Sequence, residues 1–317
     1  MNYKQEQQRL QIEKLKKFAD HFDYDEGFGD FGDYRNLPFV LKDGKNNLYK
    51  GIVDQVIEYF EDNKIDFWGD NKNYPTGHLL SSQIQCLNFL FPLKNDKEAV
   101  LELVKLFDSD IEEVLPVIGD VNNQYIAFEF TYDNKLLLSE NDLGATRGAY
   151  CTSVDAFIFT KRRDKIVLIP IEWKYTESYL KSENKALEYK KGLTRQSRYN
   201  QLIKRSSCLK DFEDLETSPY YYEPLYEFMR QTLLIEQMIR AGIADDYLHV
   251  IVVSPDNKEL MGNKYSFSSD NLETIWHNCL KQPNKFKVID TKRIFTVYEG
   301  KSLYSNILNY LSLRYCI

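Results

Sequence analysis

Hydrophobic residues recur along this chain in two periods, and the switch between them marks out its elements. From Gln124 to Tyr132 they alternate, with Ile126, Phe128 and Phe130 on one side and Ala127, Glu129 and Thr131 on the other. That period of two predicts a strand. Ser153–Thr160 and Lys165–Tyr175 predict two more, separated by a charged turn. Tyr247–Val253 predicts another, closed by Ser254-Pro255, and Phe286–Ile289 a last short one. Helical spacing holds over Gln5–Phe22, Ile52–Phe60, Ser81–Leu90, Lys97–Phe107, much of 181–206, about 224–241, Asn271–Cys279 and about 303–313. Ser81 or Ser82 supplies an N-cap for the helix that stops before Pro92, and Gly242 suits the end of 224–241. Asp23–Asp33, rich in Gly, Asp and aromatic residues, is expected to break any regular element, and 70–77 reads as loop.

The middle of the chain thus runs α, β, β, β, α, β, which implies an α/β fold with a central mixed sheet flanked by helices. Residues 1–74 read as a helical N-terminal extension leaning on a main domain of residues 75–317, whose last part carries C-terminal additions. No internal repeat is present. The longest apolar runs, such as Ile166–Ile171 and His249–Val253, fall well short of the ~20 residues a membrane helix needs. The polar N-terminus has no signal-peptide core, so a soluble, cytoplasmic protein with no membrane partner is expected.

Composition narrows the chemistry. Cys86, Cys151, Cys208, Cys279 and Cys316 are odd in number and never spaced C-x-x-C, which argues against a disulfide framework and a zinc knuckle. His21, His78, His249 and His277 are scattered, without the H-E-x-x-H spacing of a zinc hydrolase. The net charge of −7 at first counts against a nucleic-acid partner, but the distribution is uneven. Between Lys181 and Lys210 lie nine basic residues (Lys181, Lys185, Lys190, Lys191, Arg195, Arg198, Lys204, Arg205 and Lys210) opposed only by Glu183 and Glu188. Such a segment is a local phosphate-binding surface or a solvated helix face.

The segment that carries chemistry is Thr152–Phe159 followed by Ile169–Lys174. On a strand, Glu172 and Lys174 project from one face and Trp173 from the other. If the hairpin turns at Arg163-Asp164, Asp155 lies opposite Glu172 on the same side of the sheet, and a slip of one residue would separate them. Two carboxylates this close resist double ionisation unless a cation compensates. Mg²⁺, a hard ion that takes oxygen ligands and keeps waters, suits them, with Mn²⁺ as a substitute. Lys174 beside them can orient or deprotonate a water, or stabilise charge building on a phosphate. These residue types in this geometry are what metal-assisted phosphodiester hydrolysis requires. The D/E-x-K pattern itself recurs at Asp43, Asp62, Asp70, Asp133, Glu183, Glu188, Asp256, Asp290 and Glu299. Only Glu172 ends a strongly apolar strand with another acid-bearing strand just upstream, and the alternative reading there is a buried structural ion pair. Glu129 is either a further metal ligand or an edge-strand carboxylate facing water.

The arrangement resembles the PD-(D/E)-x-K nuclease superfamily, whose core is a helix, three strands, a helix and a strand. His78–Gln83, Asn88–Leu93 and Glu172–Glu177 are similar to a bacterial, restriction-endonuclease-like branch of it, and the likeness spans roughly Gly77 to Pro255. It implies Asp155 and Glu172 as metal ligands, Lys174 as the catalytic lysine and DNA as the substrate. Val154 stands where the family name has proline. No acid lies in Ser81–Leu90, where many members carry one; Gln83 and Asn88 are its polar residues. Gln196, Tyr199 and Gln201 resemble the helix that follows the motif in these nucleases, although the Q-x-x-x-Y spacing is not met. Arg195, Arg198, Tyr199 and Gln201 are the residues expected at the phosphate backbone. Cleaving both strands would suit a homodimer, but no residue pattern marks an interface. A catalytically inactive nuclease fold that binds nucleic acid or a protein partner is the alternative.

Overall fold

A computed structural model describes residues 1–119, 123–140, 151–179, 184–262, 265 and 267–315. Its elements, in chain order, begin with helix α1 (Tyr3–Lys17), strands β1 (Gly29–Phe31) and β2 (Tyr34–Leu37), and helices α2 (Val53–Asp62), α3 (Ser82–Leu90) and α4 (Lys97–Lys105). Strands β3 (Glu113–Leu115) and β4 (Ala127–Phe130), helix α5 (Asn134–Leu138) and strands β5 (Val154–Arg162) and β6 (Lys165–Trp173) follow. The rest comprises α6 (Tyr189–Arg205), α7 (Leu225–Arg240), β7 (Asp246–Tyr247), β8 (His249–Val252), α8 (Lys258–Met261), α9 (Leu272–Cys279), β9 (Phe286–Ile289), α10 (Thr291–Ile294) and α11 (Ser305–Tyr315).

Seven strands form one mixed sheet in the order β3-β5-β6-β8-β9, with β4 also paired to β5 and β7 to β6. β6 is antiparallel to β5 and parallel to β8, which is in turn parallel to β9. Joining β6 to a parallel neighbour needs a long crossover, and α6 and α7 supply it. The β5–β6 hairpin turns at Arg163-Asp164, with Arg162 opposite Lys165 and pairing in register to Ala156 opposite Ile171. Arg163 takes the left-handed conformation at φ 56° that a tight hairpin turn demands.

Alternation along these strands sorts side chains into two cores. Ala156, Ile158, Val167, Ile169, Ile171 and Trp173 face α2, α3, α4 and α11, whereas Phe157, Phe159 and Leu168 face α6, α7 and α9. Leu48, Ile52, Val56, Phe60, Ile65 and Phe67 are buried in the first of these cores beside Leu87 and Trp173. Ser81 caps α3, its side chain accepting from the Ile84 amide at 3.3 Å. Gly242, at φ 75°, follows the end of α7 where a left-handed residue is needed.

The stretch 23–33 departs from expectation, because it contains β1, paired antiparallel with β2. The hairpin is held by side chains as much as by its short ladder. Asp30 accepts from the Asn36 amide at 3.0 Å and Asp70 from the Gly32 amide at 2.6 Å. Lys181 and Glu183 of the basic segment, and Cys316, lie outside the described residues; Cys86, Cys151, Cys208 and Cys279 are free thiols. Among the described residues no helix is long and apolar enough to cross a membrane.

Candidate active site

β6 ends on Trp173, and its last residues build the site. Glu172 is 2% exposed and Lys174 5%, both on the α7 side of the sheet. The Trp173 ring points the other way into the first core, where its indole N–H donates to Gln85 Oε1 at 2.9 Å. The Lys174 amide donates to the Val252 carbonyl at 2.9 Å, which carries the pairing with β8 one residue past the strand. The hairpin register brings Asp155 to the same end of the sheet. Its Oδ2 accepts from the Trp173 amide at 2.7 Å, so the carboxylate itself closes the β5–β6 ladder.

Lys174 is clamped between two acids. Its Nζ lies 2.6 Å from Glu172 Oε1 and 2.6 Å from Glu227 Oε2, and it donates to the Tyr179 hydroxyl at 3.3 Å. Glu172 Oε2 accepts from Gln231 Nε2 at 2.5 Å, and the same amide nitrogen reaches the Ser153 carbonyl at 3.0 Å. Gln231 Oε1 lies 2.9 Å from His249 Nε2. Because that amide oxygen only accepts, Nε2 carries the proton. Burial lowers His249 to about 3, so the ring is neutral. Glu227 and Gln231 stand four apart on α7 and so share one face of the helix.

Glu129 joins Asp155 from the other side. The β4–β5 register places Ala127 opposite Phe157, Phe128 opposite Ala156 and Phe130 opposite Val154, which puts Glu129 across from Asp155. Glu129 has φ 46°, and this left-handed residue breaks the strand's alternation: Phe128 enters the first core and Phe130 the second. Such a conformation in a non-glycine residue costs about 1–3 kcal/mol and is found disproportionately at functional sites. The carboxylate accepts from Gln83 Nε2 at 2.7 Å, and Glu129 and Asp155 line one narrow cleft with Gln83 and Cys86. Glu129 thus faces the acids and is partly buried rather than turned out on a free sheet edge.

The electrostatics follow from these distances. Burial, then Glu172 and Glu129, push Asp155 well above the usual carboxylate range. Burial and Glu227 raise Glu172 to about 8 against the pull of Lys174. Burial opposes the charge on Lys174, yet Glu172 and Glu227 outweigh it and hold the ammonium. Glu227, though also desolvated, is held below its ordinary value by Lys174. Lys174 pairs with two of these four carboxylates, Glu172 and Glu227, and Arg230 acts on Glu227 as well. Asp155 is crowded by Glu172 and Glu129, a repulsion that a metal ion would relieve. Among the described residues, no group of three His, Cys, Asp or Glu side chains is gathered as a ready metal site. The donor set nevertheless has the chemistry a hard divalent ion takes: carboxylate oxygens of Glu129, Asp155 and Glu172, the first and last of which raise the proton affinity of Asp155.

The basic helix α6 divides the remaining candidates. Gln201 is exposed and Arg198 partly so. Arg195 is engaged with Glu188 at 2.6 Å, and its guanidinium lies 5.6 Å from the centre of the Tyr226 ring. Tyr199 does not join them: it is 2% exposed, and its hydroxyl donates to the fully buried Glu140 at 2.6 Å. Its ring is a core residue, because the face of α6 that carries Tyr199 and Ile203 is the one packed inward. Glu227, Gln231 and His249 had no local signal.

Fold and site together define a mixed α/β protein whose central hairpin presents an acid–acid–lysine centre. A family model described as "Restriction Endonuclease associating with ARP" matches residues 3–316, and the chain belongs to that family. Membership places it among restriction-endonuclease-like proteins, with a nuclease-like hydrolytic function. No curated protein and no solved structure matches the chain.

Proposed function

We propose that the protein is a metal-dependent DNA endonuclease of the PD-(D/E)-x-K type. The observation that carries this reading is the hairpin register, which delivers Asp155 and Glu172 to one end of the sheet with Lys174 Nζ 2.6 Å from Glu172. Family membership over nearly the whole chain supports a restriction-type activity on DNA. Asp155 and Glu172 would hold Mg²⁺, with Glu129 as a further oxygen donor and Mn²⁺ as a substitute. The bound ion supplies positive charge against the phosphate oxygens of the scissile bond.

The protein's own groups do the rest. Glu227 pairs with Lys174 independently of Glu172, so Lys174 would stay protonated and in place if Glu172 were engaged by an ion. Its ammonium would then have the donor released by Glu172 to orient the attacking water or to meet the charge that develops on the phosphate. Gln231, held from behind by His249, fixes the carboxylate of Glu172. Arg198 and Gln201 on the outer side of α6 take the phosphate backbone, and Arg195 joins them by exchanging Glu188 for a phosphate.

The test is plasmid nicking with Mg²⁺, Mn²⁺ or EDTA, comparing wild type with Glu172→Ala and Lys174→Ala, together with Mn²⁺ binding on the same samples. Metal-dependent cleavage lost in both variants is the expected result. Equal Mn²⁺ binding by wild type and Glu172→Ala would remove the proposed metal site. A nuclease fold that binds without cutting would then be the better description.

A further inference from the structure

The loop that precedes α3 carries an aromatic group whose placement the acids and the basic helix do not explain. Trp68 is 46% exposed, whereas Trp173 and Trp276 are fully buried. It is also fixed. Its backbone amide donates to Gln83 Oε1 at 2.8 Å, its ring lies 4.9 Å from Phe31 of β1, and the His78 ring stands nearly perpendicular to it at 5.4 Å. The Asp70–Gly32 hydrogen bond ties the β1–β2 hairpin to the same loop. An exposed indole held on two sides has already lost the rotamer freedom that binding would otherwise cost.

Its position relative to the acids is equally defined. The Gln83 side chain that accepts from Trp68 donates through its other terminal atom to Glu129. One side-chain amide therefore joins the Trp68 backbone to Glu129, the acid across from Asp155. The rings of the cluster themselves carry no charge for a phosphate, and the lysine that acts on His78, Lys4, belongs to α1. Burial lowers His78 to about 4, so it adds no positive charge. Asp66 and Asp70 flank the indole in the chain and repel anions. What remains is a flat, uncharged, pre-positioned ring beside a phosphodiester-cleaving centre.

We propose that Trp68 is a stacking platform for an unpaired nucleobase of the nucleic acid bound at the Asp155–Glu172 centre. This rests on the nuclease reading and adds to it the class of substrate feature the site takes: a base out of the double helix, in a single strand, a frayed end or a distorted duplex. Base faces carry no net charge, so this contact adds affinity without adding to the salt dependence that phosphate contacts give.

The experiment measures binding of labelled single-stranded oligothymidylate, and of an abasic oligomer of equal length and charge, by fluorescence anisotropy. Ca²⁺ replaces Mg²⁺ so that oxygen ligands are engaged in a looser geometry. Wild type is expected to prefer the base-bearing oligomer and to show quenched tryptophan emission on binding it. Trp68→Ala should weaken that oligomer by about 5- to 150-fold, with an unchanged salt slope and no remaining preference over the abasic strand. Trp68→Phe, which keeps a stacking ring but removes the exposed fluorophore, should retain the preference and lose the quench. Equal affinity of wild type and Trp68→Ala for both oligomers overturns the platform while leaving the nuclease reading intact. Failure of wild type to bind either oligomer overturns the platform as well. Plasmid cleavage by the same sample then decides whether the nuclease reading falls with it.

Discussion

Replacing Lys174 by methionine isolates the central electrostatic feature of the site, because the aliphatic stem is nearly preserved and only the charge is lost. In the wild type that charge sits 2.6 Å from both Glu172 and Glu227 with almost no exposure to water. Removing one partner of a buried ion pair typically costs about 3–5 kcal/mol, since the remaining charges are left without compensation. That is a large part of the roughly 5–15 kcal/mol by which most domains are stable. At about 2–3 °C per kcal/mol for a chain of this size, the metal-free variant should melt roughly 6–15 °C below wild type. The acids can recover some of the loss by taking up a proton, which gives the effect a pH signature. Glu172 is already raised to about 8 by burial and Glu227, and loss of the lysine pushes it further in the same direction. A carboxyl group whose folded value lies above its unfolded one binds more protons in the native state, so stability falls as pH rises through the window between the two. Each additional proton taken up steepens that fall by about 1.4 kcal/mol per pH unit. Wild-type Glu172 already holds its proton up to about 8, so the extra uptake falls above that value, and thermal melts in EDTA at about pH 7 and about pH 9 would show a deficit for Lys174→Met that widens toward the alkaline end. Equal melting of variant and wild type at both pH values would refute the reasoning, because the ammonium could not then be the buried counter-charge of two acids.

Two further substitutions separate packing from function. Tyr199→Phe deletes the hydroxyl that donates to buried Glu140 and should cost about 1–3 kcal/mol in a urea melt. It should leave the affinity for duplex DNA and its salt slope unchanged; a weakened affinity in the folded variant would put Tyr199 back at the nucleic-acid surface. Gln231→Leu leaves Glu172 Oε2, the Ser153 carbonyl and His249 without their amide partner, and should lose about 1–3 kcal/mol of stability together with cleavage. Full cleavage by Gln231→Leu would show that Glu172 needs no support from α7.

The β5–β6 hairpin is legible in the sequence because two independent constraints agree on it. Apolar alternation fixes which residues share a face, and a two-residue turn at Arg163-Asp164 fixes which residues oppose each other; Asp155 and Glu172 follow from both. The same reasoning only half-read Glu129. Its strand was evident, but no pattern of apolar residues announces a left-handed residue in the middle of it, and that conformation is what separates Phe128 from Phe130 and puts the acid across from Asp155. Glu227 and Gln231 were beyond reach for a different reason. They meet Lys174 and Glu172 only after the crossover returns α7 to the sheet, and contacts between residues more than fifty positions apart leave no local trace. Tyr199 shows the limit of composition. A basic helix with an aromatic residue reads as a nucleic-acid surface, yet the aromatic belongs to the inward stripe that anchors the helix. The β1–β2 hairpin escaped because its turn-forming residues outnumber its apolar ones, and side-chain caps from Asp30 and Asp70 replace the ladder such a short strand lacks.

Trp173 occupies the middle of the Glu-Trp-Lys triplet, the position that a motif writes as any residue. Pleating ties the three together: whatever aims Glu172 and Lys174 at α7 drives the indole into the opposite core against Phe89 and Gln85. The triplet is therefore one mechanical part with two ends. For anyone altering this enzyme, or for natural variation acting on it, the tryptophan cannot be tuned as a packing residue alone. A smaller side chain there would let the strand end settle toward α3, and the loss would be recorded in an activity assay as a catalytic defect although no reacting group had changed.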